Sequence, residues 1–444
     1  MAEILLPIDH WAHNNAVDPK KDSVQNDGFL TGVKYLSAIV TVNEVLDDDL
    51  PPMVQSSPVT IRRPINFKTW PEFEFEVSFV SLFLSIESTD TSELLVPMSR
   101  SSRVDGLVDE PVRQSIFQEY LAYRSLVEPS LFHDRRNFGD RCRVEWETAF
   151  AGFRNIEDRN VQLCMAAWTA LNMSLQDQCQ TLTTENVALA IGVVAEMLND
   201  FHEQSSPGER RRRLSHPSLT RLCHHTTQFR LFVTDLLTPS AIAGLKSRLH
   251  ETLRGIYERA IWRETAYPEN KAYLKIQSTC SGLSAMFYLA HMSTLVHLSP
   301  CSSSLKIMQR LVSVAAILQR DIVEIEASLV DNSLENYVLM TVDPSIKLLP
   351  SSLQSPCLAP SIKSSVNRYN KILHDVFRHY RHIHSDAELR HERTSADMLM
   401  DFLGAHLEWK IGFTQYLRQD NAAVEQCVDF CAIGTLQKIL QDLK

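Results

Sequence analysis

Residues 183–204 read TTENVALAIGVVAEMLNDFHEQ, and in them a helix is legible from end to end. Thr183 and Thr184 are N-cap candidates ahead of an apolar stem, and the stretch closes on the polar cluster Asn199, Asp200 and Glu203. A hydroxyl at the cap can accept from first-turn N–H groups, and apolar residues at three-and-four spacing supply one face to bury. Asn199 lies four residues before Glu203 and Asp200 three before it, so one face can carry an amide oxygen and two carboxylates. Oxygen ligands so grouped suit Mg²⁺, which commonly takes one or two carboxylates and completes its octahedron with water and substrate oxygens. A polar helix end running into a loop has the same pattern.

The helical texture extends outward from this segment. From about Glu110 to the C-terminus apolar residues recur at three-and-four spacing, and no proline occurs between Pro129 and Pro207 or after Pro360. Helices are expected over 111–127, 140–154, 159–177, 184–203, 218–236, 239–265, 281–297, 303–330, 361–383 and 393–417. No fixed-period repeat is present, so an all-α closed bundle over 105–444 is expected rather than a solenoid. Residues 1–104 form a different region. Ten of the 19 prolines lie in residues 1–129, and Pro51, Pro52, Pro58 and Pro64 mark extended, partly irregular chain. Within it, 73–86 (FEFEVSFVSLFLSI) begins with strand-like alternation. Phe73, Val77, Val80 and Leu84 also fit one helical face, and with Thr69 and Pro71 as cap and first turn a helix is expected there.

Composition narrows the functional classes. The chain has 444 residues, 44 Lys and Arg against 54 Asp and Glu, a net charge of −10 and a hydrophobic fraction of 44%. That balance argues against nucleic acid as partner, since Lys and Arg neutralising phosphates supply most of such affinity. With 13 glycines there is no G-x-G-x-x-G, P-loop or nucleophile elbow. Nine cysteines without a C-x-x-C, and no signal peptide or long apolar run, predict reduced thiols in a cytoplasmic protein without a membrane span.

A second acidic face lies in LQRDIVEIEASLVDNSLENYVLM, residues 318–340, where Asp321 and Glu324 are three apart and Ser328 four beyond. Alone it reads as an amphipathic helix with a solvated stripe. His374, His379, His382, His384 and His391 match no zinc spacing and read as a solvated helix and loop. Trp262, Tyr273, Phe287, Tyr288, Trp409 and Tyr416 can line a cavity and face a cation, although aromatic residues on helices are commonly core.

Four blocks, in order, resemble the microbial class I terpene synthases. These are all-helical enzymes whose DDxxD and NDxxSxxxE motifs hold three Mg²⁺ around an allylic diphosphate. EMLNDFHE (196–203) is similar to the helix that ends in DDxxD. ERAIWRETAYPENKAYLKIQSTCSG (258–282) is similar to the stretch with Glu and Arg, then Pro, Tyr-Leu, arginines and a small-residue helix break. LQRDIVEIEASLVDNSLENYVLM resembles the second metal motif, and HLEWKIGFTQYL (406–417) the Trp-containing last helix that ends in Arg-Tyr. The resemblance covers most of 105–444. It implies a terpene cyclase-like lyase that guides the carbocation of an isoprenoid, most simply C15, to cyclisation, rearrangement or capture by a nucleophile.

Carried over by position, the resemblance puts the first motif on Asn199, Asp200 and Glu203, and the Asn, Ser and Glu of the second on Arg320, Glu324 and Ser328. The diphosphate-sensing Arg falls near Gln277 and Ser278, and the Arg of Arg-Tyr on Gln415 beside Tyr416. Gln cannot imitate the permanently charged fork of Arg, so the Mg²⁺ and diphosphate clamp is altered. The implied metal ligands are Asn199, Asp200, Glu203 and Asp321. Asp200, Glu203, Glu324 and Tyr416 are the implied catalytic groups, and Trp262, Tyr273, Gln277, Arg320 and Trp409 contact substrate. Arg320 or the Arg210–Arg213 loop would replace the lost arginines. Three readings stand: a cyclase with a reduced Mg²⁺ set, a metal-independent enzyme acting on a preformed terpenoid (for example C–N coupling to an amine), and a non-catalytic terpenoid-binding protein. An isoprenoid or terpenoid is the expected small-molecule partner, and a homodimer is open.

Overall fold

The computed structural model describes residues 62–66, 74–80, 94–97, 110–128, 135–150, 152–153, 156–180, 182–199, 217–264, 270–293, 301–325, 328, 335–342 and 355–418. Three strands come first: β1 (Arg62–Asn66), β2 (Glu74–Val80) and β3 (Leu94–Pro97). β2 is central, antiparallel to β1 with Arg62 opposite Ser78 and parallel to β3 with Val77 opposite Leu94. The helix expected over 73–86 is therefore corrected to a strand across 74–80. The period-two run Phe75, Val77, Phe79 prevails because pairing on both sides satisfies its backbone. Pro64 falls on edge strand β1, where a missing N–H is tolerated. β3 lies against the last two helices of the chain.

The body is helical: α1 (Glu110–Val127), α2 (Arg135–Phe150), α3 (Arg159–Gln180), α4 (Thr184–Asn199), α5 (Pro217–Leu236), α6 (Pro239–Glu264), α7 (Asn270–Cys280), α8 (Leu283–Ser293), α9 (Ser303–Val323), the one-turn α10 (Tyr337–Met340), α11 (Ser355–Ser385) and α12 (Arg393–Arg418). The expected all-α bundle is thus what the described body forms. Two local expectations change. α7 is a helix that the periodicity did not single out, because its polar residues interrupt the stripe, yet Tyr273, Leu274 and Cys280 are buried. The helix expected over 303–330 ends at Val323 with Glu324 as its C-cap. No helix among the described residues is long and apolar enough to cross a membrane.

α9 is the central helix, packed on α7, α8, α11 and α12 and buried along most of its length. Side-chain bonds fix the helix directions. Thr184 Oγ1 donates to Ala260 O at 3.3 Å, and Lys246 Nζ donates to Asn199 O at 3.1 Å, so α4 runs antiparallel to α6. The break between α7 and α8 is tied to α3 by a ladder. Gln176 Nε2 donates to Cys280 O (2.8 Å), Asn172 Nδ2 to Ser281 O (2.9 Å) and Trp168 Nε1 to Gly282 O (3.1 Å). Three side chains four apart on α3 thereby bind the carbonyls around the α7/α8 break. Gly282 turns the chain there with φ +79°, and a Cβ on it would lie 2.7 Å from Asn172 Nδ2 and 3.0 Å from Trp168 Nε1. Gly282→Ala is expected to lower the unfolding free energy by about 2 to 3 kcal/mol, from left-handed strain and a disturbed ladder. Urea unfolding checks it, and a loss under about 0.5 kcal/mol would contradict the ladder's importance.

Candidate functional site

The end of α6, the start of α7 and the end of α9 come together at one end of the bundle. Tyr273 Oη donates to Asp321 Oδ2 at 2.8 Å, and Tyr337 N donates to the same oxygen at 2.9 Å. Oδ1 accepts from Arg320 Nε at 2.9 Å and from its Nη2 at 2.7 Å. Asp321 is 2% exposed. Burial raises its carboxyl from the ordinary value, against the lowering effect of Arg320 and the Tyr337 N–H. Burial, then Asp321, pushes the Tyr273 phenol well up, so it stays a donor. Asn336 Nδ2 closes the network on Asp321 O (2.7 Å) and Ser328 Oγ (3.2 Å).

Glu335 is the second anionic centre. Arg259 Nε donates to its Oε2 at 2.7 Å, Arg263 pairs with its Oε1, and Gln277 Nε2 reaches Oε2 at 3.5 Å. Burial would raise Glu335, but Arg259 and then Arg263 outweigh it and hold the carboxyl below its ordinary value. Arg259 Nη1 also donates to Gln176 Oε1 at 3.0 Å, tying the cluster to the α3 ladder. Trp262 lies 5.4 Å from the Tyr273 ring, centroid to centroid. At the α9 C-cap, Lys410 Nζ donates to Glu324 Oε1 at 2.6 Å and sits 4.7 Å from the Trp409 ring centroid.

One turn inward, Gln319 Nε2 donates to Tyr369 Oη (2.9 Å) and Leu403 O (3.1 Å), which fixes its amide. Its Oε1 must then accept from His406 Nδ1 at 2.8 Å, so His406 carries its proton on Nδ1. Burial, followed by Lys410 and Arg320, lowers the His406 pKa to about 3.

The structure thus brings together Trp262, Tyr273, Gln277, Arg320, Asp321, Glu324 and Trp409. It does not bring Asn199 to them. Asn199 Oδ1 lies 3.0 Å from His250 Nε2, nine residues before Arg259 on α6, which is roughly 14 Å along the axis. Of the first acidic segment's implied ligands only Asn199 is described, and its amide oxygen is engaged by His250. Asp200 and Glu203 lie outside the described residues, as do Arg210–Arg213, and Tyr416 is described in its backbone only. His384, expected on a solvated face, is instead buried, 3.2 Å from Asp397 and against the Tyr380 ring.

A Mg²⁺ ion does not fit this donor set. Mg²⁺ needs free carboxylate lone pairs, and all four acceptor directions of Asp321 are used by protein donors. Glu324 is paired with Lys410, and a cation, Arg320, stands at the first position of the second motif. Among the described residues no group of three His, Cys, Asp or Glu is placed to hold a metal. The proposed ligand role of Asp321 is therefore replaced by a structural one. Among the described residues four cations (Arg259, Arg263, Arg320, Lys410) face three carboxylates here. Sequence reading left Arg259, Arg263 and Glu335 unassigned. The available signal was the i, i+4 spacing of the two arginines within block 258–282 and the Glu-Asn at 335–336.

No family model and no curated protein sequence matches the chain. Among solved structures it is similar to hedycaryol synthase in complex with nerolidol, at 14% identity, covering 68% of this chain and 92% of that one, with a TM-score of 0.45. It is similar to the linalool/nerolidol synthase of Streptomyces clavuligerus in complex with 2-fluorogeranyl diphosphate at 16% identity, covering 67% and 94%, TM-score 0.45. The SVS_A2 protein from ancestral sequence reconstruction gives 13% identity, 67% and 83% coverage, and a TM-score of 0.48.

Proposed function

We propose that this chain is a terpene cyclase-type enzyme of terpenoid biosynthesis that holds an isoprenoid, most simply a fifteen-carbon allylic diphosphate, with its own cations in place of a Mg²⁺ cluster. The four ordered sequence blocks support the substrate class. The observation that carries the metal-free site is the cluster at the end of α9, where Asp321, Glu324 and Glu335 are each tied to a cation and, among the described residues, cations outnumber carboxylates by one. Guanidinium forks bind phosphate oxygens with charge-assisted bonds and need no metal to do so. In this reading Arg259, Arg263, Arg320 and Lys410 bind the anionic group, while the faces of Trp262 and Trp409 attract a developing carbocation. In this reading no Mg²⁺ ligand is needed, so Asp200→Ala and Glu203→Ala variants are expected to keep near wild-type rates.

A second reading, with a preformed terpenoid as substrate, draws on Gln277, a neutral amide at the place where the resemblance expects a diphosphate-sensing arginine. The deciding experiment supplies ten-, fifteen- and twenty-carbon allylic diphosphates, and separately the matching terpenoids with an amine, and assays products by chromatography. Products from an allylic diphosphate, lost by more than about tenfold in Arg320→Gln, are expected. Products only from the preformed terpenoids favour the second reading, and none from either makes the chain a binding protein.

A further inference from the structure

A second constellation stands at the opposite end of α9, where the end of α8, the start of α9 and the start of α12 meet. Cys301 Sγ lies 3.9 Å from His291 Nε2, and His291 Nδ1 is hydrogen-bonded to Ser395 Oγ. Cys301 is half-buried and His291 nearly buried, while four of the six described cysteines, Cys142, Cys164, Cys179 and Cys280, are buried. Glu392 fastens the arrangement, because its two oxygens accept from Ser302 N and Ser302 Oγ at the N-cap of α9. That carboxylate is favoured there by the helix dipole. A nucleophile, a base in reach of it and a third group that orients the base form the pattern of an activated nucleophile, whose contact is often loose before substrate binds.

We propose that Cys301 is a base-assisted nucleophilic thiol, activated by His291 and oriented through Ser395, that takes a neutral α,β-unsaturated carbonyl compound. It is independent of the isoprenoid reading above. His291 and Ser395 lie on α8 and α12 with Cys301 just before α9, and the apolar flank with Glu392 alongside favours an uncharged electrophile over an anion. In the step, Sγ bonds to the β-carbon as the C=C π bond opens. The thiol proton passes to His291 Nε2 and then to the α-carbon, so nothing leaves and no oxidant or reductant is needed.

The charged and titratable groups facing this pair are Glu392, His391, Arg248 and Lys306. Burial, then Glu392, raises the Cys301 thiol, and burial lowers His291. The thiol is therefore protonated and the imidazole neutral at neutral pH. N-ethylmaleimide is the probe, with per-cysteine rates read by peptide mass spectrometry on the full chain. Cys301 is expected to react at least about tenfold faster than Cys223, the other partly exposed described cysteine, and His291→Asn to remove that advantage with Cys223 unchanged. In the wild type the Cys301 rate is expected to be flat from about pH 7 to 8.5 and to fall as His291 protonates below its ordinary value near 6.5. A rate that climbs about tenfold per pH unit across that range, as for a thiol ionising by itself, overturns the proposal, and so does an unaltered rate in a folded His291→Asn variant. The wild-type profile decides alone if that variant does not fold.

Discussion

Replacing Arg124 by Met is expected to lower the unfolding free energy by about 3 to 5 kcal/mol, because it strands a buried carboxylate between α1 and α2. The Arg124 and Glu145 side chains are both 0% exposed. Arg124 grips Glu145 with a fork, Nε to Oε2 at 2.7 Å and Nη2 to Oε1 at 2.9 Å, and Tyr120 Oη donates to Oε2 at 2.5 Å. Arg141 reaches Oε1 at 3.3 Å from a partly exposed position and replaces little of the loss. The double variant Arg124→Met with Glu145→Leu removes both charges and is expected to recover most of the stability, since matched apolar groups can replace a buried pair at little cost. Chemical denaturation of the three proteins measures this. A single variant within about 1 kcal/mol of wild type would mean that the pair is not desolvated as described.

Acid is expected to weaken the fold through His406. Its native pKa of about 3 lies below the ordinary value near 6.5, so the neutral ring is the form that the fold prefers. The unfolded chain takes up a proton as pH falls below about 6.5, whereas the native chain does not until about 3. Stability from this group is thus complete above about 6.5 and is lost progressively between these values, by up to about 5 kcal/mol. His225, His250, His291, His374 and His379 are lowered by burial as well and act in the same direction. Comparing the pH dependence of unfolding in wild type and His406→Asn isolates this contribution. The variant should show a shallower acid slope, and parallel slopes would contradict the assigned tautomer and environment.

The helical body was readable because apolar residues recur at helical spacing, and helix ends agree closely wherever a cap or proline marks them, as at Thr184, Pro217 and Pro239. Where two periods compete, local pattern does not decide. Phe75, Val77 and Phe79 form a strand because neighbouring strands supply the pairing, which lies outside the segment itself. The site was readable in part. Tyr273, Gln277, Arg320 and Asp321 do converge, since the two helices that carry them, α7 and α9, pack directly on one another. Asn199 was grouped with Asp200 and Glu203 by spacing along α4 and with the α9 residues by the resemblance, and neither reads how far apart the two helix ends stand in the bundle. Glu335 was missed because its role exists only through Arg259 and Arg263, more than seventy residues earlier.

The most direct measurement is product formation from the fifteen-carbon allylic diphosphate with saturating Mg²⁺ and, in parallel, with EDTA. Equal rates are expected in both, with Arg320→Gln slowed in both alike. Pyrophosphate release that appears only with Mg²⁺ would contradict the metal-free site and would mean that oxygen ligands away from the end of α9 bind the metal.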